Sequence, residues 1–182
     1  MSTPSPFANP ATGATGNAAA YVAALLDLLA GREPIPVQRE LLGALEELTR
    51  DLPDRQLRKS EKAGKWSVLQ VIQHLAQTEL VIAYRYRVVL SQDEPEIPGF
   101  DQDLWVDRLA FDTEDLESVM TRLRSLRGWN LAFLERLSPD QWNRFGHHAE
   151  RGEESIRRIA DLAAAHDLVH RAQIQRILRS ES

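Results

Sequence analysis

Two histidines, His166 and His170, stand one helical turn apart in the run Leu162-Ala-Ala-Ala-His166-Asp-Leu-Val-His170-Arg-Ala-Gln-Ile174. On a helix, positions i and i+4 lie above one another on one face. The row Ile156, Ile159, Ala163, His166, His170, Ile174, Ile177 keeps that spacing, so both imidazoles are expected to face the protein interior. Buried imidazoles must be satisfied, by hydrogen bonds to neighbours or by a shared metal ion. The same spacing forms half of a zinc site in the His-Glu-x-x-His motif, but here Asp167 rather than Glu follows the first His. Taken alone, the pair fits a hydrogen-bonded core as well as a metal site.

A third histidine, His74, lies on the row Val71, His74, Thr78, Val81, Arg85 of another amphipathic segment. It falls about two turns into its helix, while His166 and His170 fall about three and four turns into theirs. If the two helices run side by side in opposite senses, these levels match. Three neutral imidazoles would then hold one divalent ion and leave a coordination position open for substrate or solvent. Zn, Ni, Fe and Mn are all acceptable to such ligands. Carboxylate ligands are not expected, because Glu79 is turned about 140° from His74 and Asp167 about 100° from His166. The Glu-x-x-His pattern of di-iron bundles is absent. The His166-Asp167 dipeptide also occurs in HD-type phosphohydrolases, whose further ligands find no place here. Gln77, Thr78 and Gln173 follow the histidines by about one turn and are either pocket-lining or core-edge residues. His147 and His148 fall in a loop and are expected to be exposed.

The elements that would position these groups are legible from caps and breakers. Residues 1–16 are Ser, Thr, Pro, Ala, Gly and Asn with little else, which predicts a disordered tail. The remainder, 17–182, is expected to be one domain. A first helix is predicted over 17–30, broken by Gly31 to Pro36, and a continuation over 37–49. Ser67 and Gln70 form a capping box that opens a long helix to about Leu90, with Trp66 before it. A long acidic connection follows, then a helix over 113–137 capped by Asp112. Ser138 and Gln141 form a second capping box, Gly146 to Gly152 is a loop, and Ser155 caps a last helix to about Leu178. No run alternates long enough to read as a strand. The expected fold class is all-α: a four-helix bundle of up-down-down-up type with a long crossover.

Composition narrows the chemistry further. The 182 residues contain no cysteine, which excludes thiolate metal sites, iron–sulfur clusters and a cysteine nucleophile. The net charge is -5, and the stretch from Asp93 to Glu117 is densely acidic, so no nucleic-acid partner is expected. No run is apolar enough to span a bilayer, so no membrane partner is expected either. No signal peptide is visible, which makes a cytoplasmic location the default reading. Tyr21, Val22, Leu25, Leu26, Leu28 and Leu29 cover more than one side of the first helix, which is consistent with a homodimer contact.

The segments Gly64-Lys-Trp-Ser-Val-Leu-Gln-Val-Ile-Gln-His74-Leu and Ala165-His166-Asp-Leu-Val-His170-Arg-Ala-Gln-Ile174 together resemble the DinB-like superfamily of metal-dependent four-helix-bundle proteins. So do Phe100-Asp-Gln-Asp-Leu-Trp105 and Gly146-His-His-Ala-Glu-Arg-Gly152. The similarity covers about residues 20 to 180. It implies a divalent metal held by His74, His166 and His170, each of them present. Family members include bacillithiol-using transferases and a mycothiol-dependent isomerase, in which the metal binds a low-molecular-weight thiol. The resulting expectation is a metal-dependent enzyme that activates such a thiol, or water, against a small-molecule substrate: a thiol S-transferase or a hydrolase. The alternative is a non-catalytic metal-binding or stress-response protein.

Overall fold

Helices begin where short polar side chains can take up free backbone amides. A computed structural model describes residues 18–109 and 113–180. Its helices are α1 (Ala18–Leu29), α2 (Pro34–Thr49), α3 (Asp54–Leu57), α4 (Val68–Ser91), α5 (Gln102–Leu109), α6 (Leu116–Leu134), α7 (Pro139–Trp142) and α8 (Ile156–Arg179). Ser67 caps α4 in a reciprocal box with Gln70, and Ser138 caps α7 in the same way with Gln141. Ser155 caps α8 through the amide of Arg158. The prolines expected to interrupt the chain before Val37 instead open α2. Pro34 and Pro36 occupy its first turn, where the missing amides have no intrahelical partner to lose. Helix α6 is capped by Asp115 rather than by Asp112, which lies outside the described residues, as does the tail over 1–16.

The four long helices form the ring α2–α8–α4–α6. Helices α2 and α8 run parallel: Gln38 Nε2 donates to the Ala160 carbonyl at 3.1 Å, and further along both helices Leu45 shares a core cluster with Ile174 and Ile177. Helix α4 runs opposite to α8, with Val89 packed near Ile156 at one end and Val71 near Ile174 at the other. Helices α4 and α6 are parallel, as Gln73–Glu114 at 3.0 Å and Arg87–Asn130 at 3.2 Å show. Helix α6 opposes α2 through the pairs Arg124–Glu46 and Arg39–Glu135. The order is therefore up-down-down-up, and the parallel α4–α6 pair requires the long crossover between them.

That crossover is not bare loop. It carries β1 (Glu96–Ile97) and α5, and β1 joins β2 (Phe145–His148) and β3 (Gly152–Ser155) in a small sheet. The four-helix bundle is as expected, with this small sheet added to it; the sheet corrects the assignment of Gly146 to Gly152 as loop. Strand β1 is parallel to β2, with Ile97 opposite His148, and β2 is antiparallel to β3, with Gly146 opposite Glu154. Strands this short hold too few residues for alternation to register, and β1 finds its partner about fifty residues away.

Helix α1 lies along α8. Leu25 and Leu29 are buried against Ala164, Ala165 and Val169, so much of the apolar surplus of α1 is core, leaving Leu28 partly exposed. No helix among the described residues is long and apolar enough to cross a membrane.

Candidate metal centre and its cavity

The antiparallel pairing of α4 and α8 brings His74 to the level of His166 and His170. His74 Nε2 lies 3.1 Å from His166 Nε2, and His166 Nε2 lies 3.0 Å from His170 Nε2. All three sequence-predicted ligands therefore converge. His74 and His170 are fully buried, and His166 is half-buried.

The packing around them selects the neutral ring. Burial drives His74 and His166 well below the usual histidine range, helped in both by His170 and in His166 also by His74 and Arg127. Burial lowers His170 to about 4, against a partial opposing pull from Gln173. Gln173 Oε1 stands 2.8 Å from His170 Nδ1. With that oxygen accepting, the ring proton resides on Nδ1 and the Nε2 lone pair is left facing the other two histidines. Trp66 packs on the outer side, its ring 4.9 Å from that of His74 and 6.3 Å from that of His170. It shields the cluster from solvent in addition to flanking the cap of α4.

A three-imidazole set suits one metal ion. The two Nε2 separations approach the edge of about 3.3 Å that three nitrogens at about 2.0–2.1 Å from a tetrahedral ion must have. Neutral rings with aligned lone pairs have little to offer one another, whereas a cation satisfies all of them at once. The expected non-ligands behave as such. Glu79 and Asp167 both turn away from the cluster to bind Arg127, at 2.9 and 2.6 Å.

His166 also lines a cavity of about 810 Å³ bounded by α1, α4, α5, α8 and the small sheet. Thr78 is on its wall, with Oγ1 3.4 Å from His74 Nε2, so the pocket-lining reading of Thr78 holds. Gln77 is not part of the lining, and Gln173 orients His170 instead. His148, expected to be exposed, is only 3% exposed, because strand pairing turns it inward. It lines the same cavity beside Arg85, Arg151 and Glu154. Burial lowers the His148 pKa to about 4, with Arg151 and Arg85 adding to the effect. Sequence reasoning missed Arg85 as a functional candidate. The signal was its place on the His74 row, where a charged residue stands among apolar ones.

Comparison with known proteins agrees with this architecture. Residues 39–174 match the model of the DinB superfamily. A candidate metal-dependent hydrolase of Oceanobacillus iheyensis is 28% identical over 76% of this chain and 79% of its own length. YfiT of Bacillus subtilis, likewise named as a candidate metal-dependent hydrolase, is 28% identical over 65% of this chain and 67% of its own. The solved structure of that protein, described as having an unusual four-helix bundle topology, superposes with a TM-score of 0.74 at 26% identity, covering 80% of this chain and 84% of the other. With the family match spanning most of the chain and the fold reproduced in a solved relative, this protein belongs to the DinB superfamily.

Proposed function

We propose that the protein is a metal-dependent hydrolase of small molecules, with His74, His166 and His170 as the ligands of a single divalent ion. The observation that carries the reading is the convergence of three neutral imidazoles at one wall of a cavity of about 810 Å³. A divalent ion held there supplies a Lewis acid and lowers the pKa of a coordinated water or thiol toward neutrality. The chain's own residues do the rest. Gln173 keeps the His170 proton on Nδ1, Trp66 excludes bulk water from the outer side, and Thr78 presents a hydroxyl beside His74. The acidic residues Asp101, Asp103 and Asp107 on the cavity lining oppose a nucleic-acid backbone, which leaves a small molecule as the substrate.

The size of the cavity supports a second reading. It lies toward the upper end of the roughly 300–1,000 Å³ typical of ligand pockets, with room for a low-molecular-weight thiol and its electrophile together. The two readings share the histidines and differ in the nucleophile. Purified protein should contain one divalent ion per chain, and chelation should abolish turnover of a panel of small esters and amides, with recovery on adding metal back. Turnover that appears only when a thiol is supplied selects the second reading. A full metal complement in His170→Ala would refute both.

A further inference from the structure

The far end of the cavity holds a charge that the three histidines do not explain. Arg85 lies eleven residues beyond His74 on α4, about 16 Å along the axis at roughly 1.5 Å per residue. Its side chain lines the cavity that His166 also lines, yet the residue is only 7% exposed. A guanidinium this deeply buried is ordinarily set against a carboxylate, as Arg127 is in this same bundle. Arg85 is not. Its Nη2 donates to the Pro98 carbonyl at 2.9 Å and lies 3.2 Å from His148 Nε2, while Nε has no partner among the described residues. The buried carboxylate nearby, Glu154, is taken by both arms of Arg151 at 2.5 and 2.9 Å. Burial lowers the Arg85 pKa to about 10, so the group is a full cation at neutral pH.

We propose that Arg85 is an anion-binding residue: it receives the carboxylate or phosphate of a small organic molecule whose other end lies at the three histidines. The placement of that other end rests on the metal reading above; the anion site itself does not. A guanidinium with an unfilled N–H in a desolvated wall is the side chain best suited to a compact oxyanion. Phe100 lies under the guanidinium at 5.9 Å and gives the site an apolar wall. Asp101, Asp107 and Glu150 also line the cavity but are exposed, where water and salt weaken their fields, and Asp103 on the same wall is half-buried.

The anion site is tested first without metal. Metal-free protein with nitrogen-15-labelled arginine is titrated with benzoate, phenyl phosphate and neutral benzamide while the side-chain Nε–H signals are followed by NMR. We expect one signal, absent from Arg85→Gln, to shift saturably with benzoate or phenyl phosphate, at least tenfold more tightly than with benzamide; whichever anion is tighter names the group. Absence of a saturable shift in the wild-type protein overturns the proposal, whether or not the variant folds. A second arm uses zinc-loaded protein and calorimetry, comparing acetohydroxamate with a series of ω-carboxyalkyl hydroxamates and their methyl esters. One chain length should exceed its ester at least tenfold, and Arg85→Gln should erase that gap while leaving acetohydroxamate binding unchanged. Acetohydroxamate binding without any carboxylate gain removes the shared-substrate claim alone. Failure of acetohydroxamate to bind removes the open coordination position that the metal reading requires of the zinc-loaded protein, and the metal-free arm still decides the anion site.

Discussion

Two buried polar clusters lie close together in this bundle, and they are satisfied in opposite ways. Around Arg127, which is 1% exposed, every charge has a counterpart. Its two terminal nitrogens reach Asp167 at 2.6 and 2.9 Å, Glu79 at 2.9 Å and the Gln38 carbonyl at 2.7 Å. Asn130 then donates to Glu79 at 2.9 Å. Burial opposes the charge on Arg127, but Asp167 and Glu79 outweigh it and raise its pKa. The cluster ties α2, α4, α6 and α8 together and pairs its charges internally, although Arg127 Nε itself has no partner among the described residues. The three histidines are the contrary case: their Nε2 atoms face one another, and His74 Nδ1 has no partner among the described residues. Three converging nitrogens with no charge among them to pair mark a place for a cation the chain does not encode.

The comparison breaks most sharply at Arg127. Arg127→Leu leaves two carboxylates buried without a cation, which should cost about 3–5 kcal/mol and lower the thermal midpoint by on the order of 10 °C at roughly 2–4 °C per kcal/mol. Calorimetry of the metal-free protein measures it, and an unchanged midpoint would mean that the ion cluster is not structural. His170→Ala should do the reverse, taking metal content from one ion per chain to none while moving the metal-free midpoint far less.

The pH response sharpens the same contrast. All three histidines titrate below their unfolded value of about 6.5, His170 at about 4. Between these limits the three histidines bind more protons in the unfolded chain than in the folded one, whereas Asp167, raised by burial to about 6, works in the opposite sense. The histidines' contribution to the stability of the metal-free protein therefore falls as pH drops from about 6.5 toward 4. Metal affinity falls over the same range, because protonated imidazole cannot coordinate. Unfolding midpoints measured across this window should slope less in His170→Gln. A slope equal to wild type would place the titrating groups elsewhere.

Gln173→Leu removes the acceptor on His170 Nδ1 and should weaken metal binding by about 10–100-fold, with the fold intact. Smallest of all, Ser67→Ala removes one cap of the helix that carries His74, which should cost about 1 kcal/mol and leave metal stoichiometry at one.

Why some of this was legible in the sequence follows from how local each signal is. Ser67 with Gln70 and Ser138 with Gln141 are three residues apart, and their boxes form as expected. The histidines were legible because an i, i+4 pair shares a face whatever surrounds it, and an antiparallel partner helix supplies the third. Pro34 was misread because proline marks a helix start as readily as a break. His148 was misread because its burial comes from pairing with Ile97, a contact no local pattern encodes. Arg85 stood in plain view on the His74 row, but arginine is so commonly a surface residue that only its surroundings reveal the uncompensated charge.

Gly146 shows how far one missing side chain can reach. A Cβ built at that position would stand 2.5 Å from the Pro95 carbonyl oxygen and 3.1 Å from the Ile97 side chain. The crossover strand lies against β2 only because residue 146 has nothing to project. Ile97 leads directly to Pro98, whose carbonyl accepts from Arg85. A methyl group at 146 would work as a wedge, and the displacement would travel down the strand to the guanidinium. Gly146 thus acts as a spacer of zero thickness, setting the reach of a cation on a helix it is remote from in sequence.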